Sequence, residues 1–208
     1  VNTSPQVTVR TARGDTVDAR EVAWALETAT DRMFSMMIGR TWQATLADLV
    51  LVPGHAWSWP QARIAEGNGE TQGVALSGPA DLPAPDDSLG LGWGWRRIRL
   101  SAVALAGYPF LSFMEHHEPG EWYLTAIAVR PKARGLGIGS RLLYDVIERG
   151  TAAQKSSVTL DVDAKNTGAS RLYGECGFTV TGSSGRAWLM GGVVVRRMRR
   201  LLTDPPVL

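Results

Sequence analysis

The segment Trp122–Ser140 constrains the fold more than any other part of the chain. Trp122-Tyr-Leu-Thr-Ala-Ile-Ala-Val129 reads as a buried strand. It passes through Arg130-Pro131-Lys-Ala-Arg134 into three glycines at alternate positions, Gly135, Gly137 and Gly139. Directly afterwards Leu142, Leu143, Val146 and Ile147 share one face of a helix read from Ser140 to Arg149, which Gly150 closes. A buried strand feeding an amphipathic helix belongs to a sheet with that helix packed across it. The first N–H groups of the helix have no partner inside it, and the helix dipole favours an anion at that end. Glycines let the backbone come close to such an anion and adopt positive φ. The loop Gly135–Ser140 therefore asks for a diphosphate or a similar group. The competing reading is a tight turn whose glycines serve packing.

Two better-known glycine loops do not fit. The dinucleotide pattern G-x-G-x-x-G meets Ser140 where its third glycine belongs if it starts at Gly135, and Leu142 if it starts at Gly137. The ATPase loop needs Gly-Lys-Ser/Thr, a triplet the chain lacks.

The remaining chain reads as alternating strands and helices. Val7–Arg10 is a strand ending at the turn pair Gly14-Asp15, and Asp18 is placed to cap a helix from Ala19 to Thr30. A second helix is read from Phe34 to Val50. Gln61–Glu66 and Glu70–Ser77 are strands joined by the hairpin turn Gly67-Asn68-Gly69. The Pro-rich stretch Gly78–Ser88 is a loop or lid, and Leu89–Glu118 is mostly helical, with a break at Pro109. After the glycine loop come a strand at Val158–Val162, a helix at Thr167–Cys176 ended by Gly177, and strands from Phe178 and from Val193. This order gives a mixed α/β fold, and 208 residues fit one domain.

Composition removes several classes of function. Net charge is +2, and the basicity is local, in Arg96, Arg97, Arg99 and a short tail run, Arg196, Arg197, Arg199 and Arg200, that sits among valines, so no nucleic-acid partner is expected. No run of about 18 apolar residues occurs, so no membrane span is expected. Val1–Arg20 is polar, without an apolar signal core. One cysteine, Cys176, excludes an intramolecular disulfide and a cysteine zinc cluster, and fits a reducing cytoplasmic setting. Asp161 and Asp163 share one side of a strand but have no histidine near them in sequence, and adjacent His116 and His117 make a poor metal pair, so no metal is expected. Trp57, Trp59, Trp93 and Trp95 are read either as core packing or as an aromatic wall of a ligand pocket.

Arg134-Gly-Leu-Gly137-Ile-Gly139, preceded by Val129-Arg-Pro131, resembles motif A of the GNAT N-acetyltransferase superfamily, Arg/Gln-x-x-Gly-x-Gly/Ala. Downstream, Asn166-Thr-Gly-Ala-Ser-Arg-Leu-Tyr173-Gly-Glu-Cys-Gly177-Phe178 resembles motif B of the same superfamily. The likeness covers about Glu121 to Val180. A narrower one, in Glu115–Leu124 and Gly191–Arg200, is to members near puromycin N-acetyltransferase, and leans toward a small-molecule amine. What the resemblance implies is a single N-acetyltransferase domain over residues 1–208, with a mixed, splayed β-sheet flanked by helices. It also implies direct transfer of the acetyl group of acetyl-CoA to a primary amine. A peptide or protein acceptor and a non-catalytic acyl-CoA-binding module are the alternatives. Family members are often dimers, so a homodimer is an open expectation.

Roles follow residue by residue from the same likeness. Backbone groups of Ile127, Ala128 and Val129 would pair with the pantetheine arm, and Val129 or a neighbour would hold the thioester oxygen. Arg134 and the backbone of Gly135, Leu136, Gly137, Ile138, Gly139 and Ser140 would hold the pyrophosphate, and Asn166 would touch the pantetheine. Tyr173 falls on the position of the general acid. The proton acceptor is open: Asp161 is the first candidate, Glu121 the second, and His116 and His117 follow, the histidines reading more readily as solvated loop or helix-end residues.

Overall fold

The computed structural model describes residues 7–85, 116–184 and 193–202. Seven strands form one sheet in the order β1-β2-β3-β4-β5-β7-β6. They are β1 (Thr8–Thr11), β2 (Ala62–Gly67), β3 (Glu70–Pro79), β4 (Glu121–Val129), β5 (Ser157–Asp163), β6 (Thr179–Ser183) and β7 (Val195–Leu201). The helices are α1 (Thr16–Ala29), α2 (Met33–Ile38), α3 (Trp42–Leu51), α4 (Ile138–Ala152) and α5 (Thr167–Glu175). Neighbouring strands are antiparallel except β4 and β5, which run parallel and are joined through α4. This is the mixed sheet flanked by helices that the sequence predicts.

Each face of the sheet carries its own core. Leu142, Leu143 and Val146 of α4 pack with Trp122, Leu124, Val158 and Leu160, and Tyr173 and Cys176 of the α5 region join them. On the other face Val22 and Leu26 of α1 and Leu46 and Val50 of α3 cover Ile64, Val74, Leu76, Ala126 and Ala128. Strict alternation along β4 would send Leu124 and Ala126 to the same face. They go to opposite faces because Ser77 pairs with Leu124 while Leu76 pairs with Ala126, which leaves Thr125 as an extra residue. This is a β-bulge, and a bulge bends its strand. The β4–β5 ladder stops at the same place. It covers only Glu121–Leu124 against Ser157–Leu160, while β4 stays on β3 to Val129 and β5 stays on β7 to Asp163. The sheet therefore splays beyond Leu124.

Several local readings shift. The cap of α1 is Asp15, whose side chain accepts from the N–H groups of Val17 and Asp18. Asp18 lies one turn inside, where it accepts from Arg10 Nη1 at 2.6 Å, Arg10 Nη2 at 3.0 Å and the Arg13 N–H at 2.6 Å. The helix read over 34–50 is two helices, because Gly39 takes φ +81° and ends α2. Asn68 and Gly69 have φ of +56° and +76°, as a type I′ hairpin turn requires. Strand β3 extends through Gly78 and Pro79, which pair with Tyr123 and Trp122, so the loop starts later than Gly78. Of the helix read over 89–118, residues 116–118 are irregular and the rest lies outside the described residues, with Trp93 and Trp95. Trp57 and Trp59 pack against the α1 core, Trp57 edge-on to Phe34 at 5.5 Å.

Asp18 ties β1 to α1 and is nearly buried, so its replacement by alanine should cost about 2 kcal/mol. Burial pushes its carboxyl up, but the bonds from Arg10 and Arg13 outweigh this and hold it below the usual 3.8. Its stabilisation is thus present above that pH and is lost as the pH falls through the folded value. Thermal melts of wild type and Asp18→Ala should differ clearly at pH 7, and the gap should narrow below pH 3.8.

Candidate active site

The glycine loop lies where β4 meets α4. Pro131–Ala133 forms a single 3-10 turn, and Ala133 is buried beneath it. Gly135 and Gly137 take φ of +77° and +75°, and a Cβ at either position would meet nothing within 4 Å. Helix α4 begins at Ile138, two residues before the position read from sequence, with Gly137 as its cap and no side chain satisfying its first N–H groups. Gly139 thus lies in the first turn, where a Cβ would stand 3.2 Å from Leu172 Cδ2 and 3.7 Å from Val129 Cγ2. Its missing side chain lets β4, α4 and α5 converge. Arg134, Gly135, Leu136 and Gly137 are exposed, Gly139 and Ser140 half-buried and Ile138 buried. An uncapped helix end, open space above two glycines and the exposed cations Lys132 and Arg134 fit a diphosphate.

The edge of β4 is the second element. The Arg130 N–H donates to the Gln72 carbonyl at 2.8 Å. Alternation along an antiparallel pair then turns the peptide groups of Ala128 and Ala126 toward β3, and those of Ile127 and Val129 toward the gap that β5 has left. An extended amide-bearing chain can pair with Ile127 and Val129. Ala128 presents its peptide groups to β3.

From the α4 side, α5 brings Tyr173. Its ring is buried and lies 6.0 Å from Phe178, and burial pushes the hydroxyl up to about 12. Asn166 caps α5, its Oδ1 accepting from the Ala169 N–H at 3.1 Å, and Ser170 Oγ is buried without a partner.

On the opposite face β4, β5 and β7 carry a polar layer. Asp161 accepts from Arg197 Nε at 3.0 Å, Arg197 Nη2 at 2.7 Å and the Tyr123 hydroxyl at 3.0 Å. Glu121 accepts from Arg199 Nη2 at 2.6 Å on one oxygen, and from the Glu118 N–H at 3.1 Å and Thr159 Oγ1 at 3.4 Å on the other. Both carboxylates are 2% exposed. Arg197 also donates to the His116 carbonyl, which fixes the irregular segment that carries both histidines. The His117 ring tilts against Tyr123 at 4.4 Å, and its Nδ1 stands 3.8 Å from Glu121 Oε2. Burial drives the Tyr123 hydroxyl well above 10, helped by the charge of Asp161 and by Tyr173 across the sheet. Burial opposes the charge on Arg197, but Asp161 more than compensates and its pKa is raised.

Asp161 is the first β5 residue beyond the β4–β5 ladder, on the face opposite Tyr173, whereas Glu121 pairs with Ser157 at the far end of that ladder, away from the opening. Tyr123 and Arg197 were missed by sequence reasoning. Arg197 read as part of a basic tail, and only the register that sets it opposite Asp161 reveals its role. Among the described residues no helix is long and apolar enough to cross a membrane, and no group of three or more His, Cys, Asp or Glu is placed to hold a metal.

Residues 94–178 match the family model described as the acetyltransferase (GNAT) family. Over this segment the chain is similar to the GNAT acetyltransferases. It is 33% identical over 105 residues, half of this chain, to the N-alpha-acetyltransferase RimI of Mycobacterium tuberculosis, and spans 65% of that protein's length. The ribosomal-protein-S18-alanine N-acetyltransferase of Escherichia coli shares the fold at TM-score 0.59 and 16% identity, over 98% of this chain and 99% of that one. So does yncA of Salmonella typhimurium, solved with its cofactor acetyl-CoA, at TM-score 0.57 and 18% identity, over 98% of each chain.

Asn and Asp tolerate positive φ better than most residues, so a pair of changes at Gly137 separates charge from strain. Gly137→Asp should weaken acetyl-CoA binding by about 1.4 kcal/mol or more relative to Gly137→Asn. Calorimetry on the two variants measures this.

Proposed function

We propose that this chain transfers the acetyl group of acetyl-CoA to the nitrogen of a primary amine by direct attack. The observation that carries the reading is the gap between β4 and β5. It opens beside an uncapped, glycine-lined helix terminus, with a buried phenol on one side and a polar layer on the other. Acetyl-CoA, when bound, supplies an acyl carbon activated as a thioester. Arg134 and the N–H groups of Gly135–Ser140 hold the pyrophosphate. The peptide groups of Ile127 and Val129 hold the pantetheine arm, with Asn166 beside it, and the Val129 N–H faces the oxygen on which charge develops. Tyr173, protonated throughout the physiological range, supplies the proton to the departing sulfur. Residues 1–208 act as one domain in a reducing, cytoplasmic setting, a reading supported by the single free thiol of Cys176.

Two acceptor classes have support. The likeness to RimI favours the N-terminal amine of a polypeptide. The likeness of Glu115–Leu124 to members near puromycin N-acetyltransferase favours a small-molecule amine. Thiol release from acetyl-CoA, measured with a peptide that begins with free alanine and with puromycin, decides between them.

Calorimetry should show acetyl-CoA binding with no comparable binding of NADH or ATP. Absence of acetyl-CoA binding would overturn the reading. Tyr173→Phe should lower turnover by about 100-fold and leave acetyl-CoA affinity unchanged. Unchanged turnover in that variant removes Tyr173 from the mechanism.

A further inference from the structure

Resting on that reading, we infer that His117 takes the proton from the acceptor ammonium, with Glu121 orienting its ring. The amine must lose a proton before attack, and the groups able to take it lie in the polar layer across the sheet from Tyr173. Asp161 is held by two guanidinium nitrogens and a phenol. Glu121 is held on one oxygen by Arg199 and on the other by the Glu118 N–H and Thr159. Each carboxylate is thus committed to an arginine and to neighbouring donors.

His117 differs. Its side chain is 16% exposed, and its Nδ1 is buried without a hydrogen bond. Nδ1 faces Glu121 Oε2 at 3.8 Å, and a carboxylate on that side favours the tautomer with its proton on Nδ1. Nε2 then carries the open lone pair. The ring leans on Tyr123, whose hydroxyl bonds Asp161, the first β5 residue beyond the β4–β5 ladder. His117 thus reaches the edge of the gap through Tyr123, whose hydroxyl holds Asp161.

The groups that act on the ring are Arg197 from β7, Glu121 from β4, Asp161 from β5 and the adjacent His116. Burial and Arg197 press its pKa down, Glu121 and Asp161 partly oppose them, and the net value falls below 6.5. The imidazole is therefore neutral at pH 7 and ready to accept.

In the step, one N–H proton of the ammonium moves to Nε2. The freed nitrogen pair forms the C–N bond, the C–S bond breaks, and its electrons stay on sulfur. Tyr173 gives the sulfur a proton and regains one from the acylated nitrogen. The imidazolium returns its proton to water, so amide, thiol and one proton result.

The test is the pH dependence of turnover, with whichever of the alanine-initiated peptide or puromycin the wild-type protein accepts. The wild-type acid limb should lie below 6.5, and the His117 ring, followed by NMR in the same protein, should titrate with it. In His117→Gln the rate at pH 7 should fall about 100-fold, with acetyl-CoA affinity unchanged. For the peptide its acid limb should move up to the acceptor's own α-amine value, about 7.7–8.0. A wild-type limb that does not follow the ring titration overturns the assignment whether or not the variant folds, as does a His117→Gln profile that matches wild type. Wild-type protein that releases no thiol with either acceptor defeats the acetyltransferase reading itself, and this assignment with it.

Discussion

The parting of β4 from β5 at Leu124 is the constraint on which the site depends. Two parallel strands normally stay paired along their common length. Here the extra residue Thr125 bends β4 just beyond the last paired residue, while each strand keeps its antiparallel neighbour on the far side. Among the described residues no strand pairs with the peptide groups that Ile127 and Val129 turn toward the gap. Such groups are expensive when buried without a partner, so the gap is poised for an extended amide-bearing ligand. The same bulge turns Ala126 and Ala128 toward α1 and leaves Trp122 and Leu124 on the α4 side, so both helical layers stay packed around the opening.

Electrostatics hold the other half in place. Asp161 and Glu121 are each 2% exposed and each face an arginine on β7. A buried pair of this kind contributes little net stability, because desolvation offsets much of the attraction, yet removing one partner leaves a stranded charge. Its larger effect is geometric: Arg197 fixes Asp161, Asp161 fixes the Tyr123 hydroxyl, and Tyr123 supports the His117 ring. Side chains from three strands and one irregular segment are thereby locked on a face that the described helices leave uncovered.

The parts most legible in the sequence are those whose signal is local. Three glycines after a strand and before an amphipathic helix fixed the loop, and Asn68-Gly69 fixed the hairpin turn. The break at Gly39 was missed because the apolar positions on either side of it share a helical period. Asp18 precedes an apolar stripe and so reads as the cap, although Asp15 performs that role and Asp18, inside α1, answers Arg10 of β1. The polar layer was legible only in pieces. Asp161 and Glu121 stood out as isolated acids, but their arginines lie 36 and 78 residues away and become neighbours only through the order β4-β5-β7.

Placing the proposed proton donor and proton acceptor on opposite faces of one sheet has a chemical consequence. Tyr173 lies among apolar side chains, and burial raises its pKa, so it keeps its proton. His117 lies among charges and is desolvated, and burial lowers its pKa, so it stays free of one. The same physical effect, loss of water around an ionisable group, drives an acid and a base apart because it always disfavours the charged form. In the proposed mechanism, a single opening then has a donor for the departing sulfur on one face and an acceptor for the arriving nitrogen on the other.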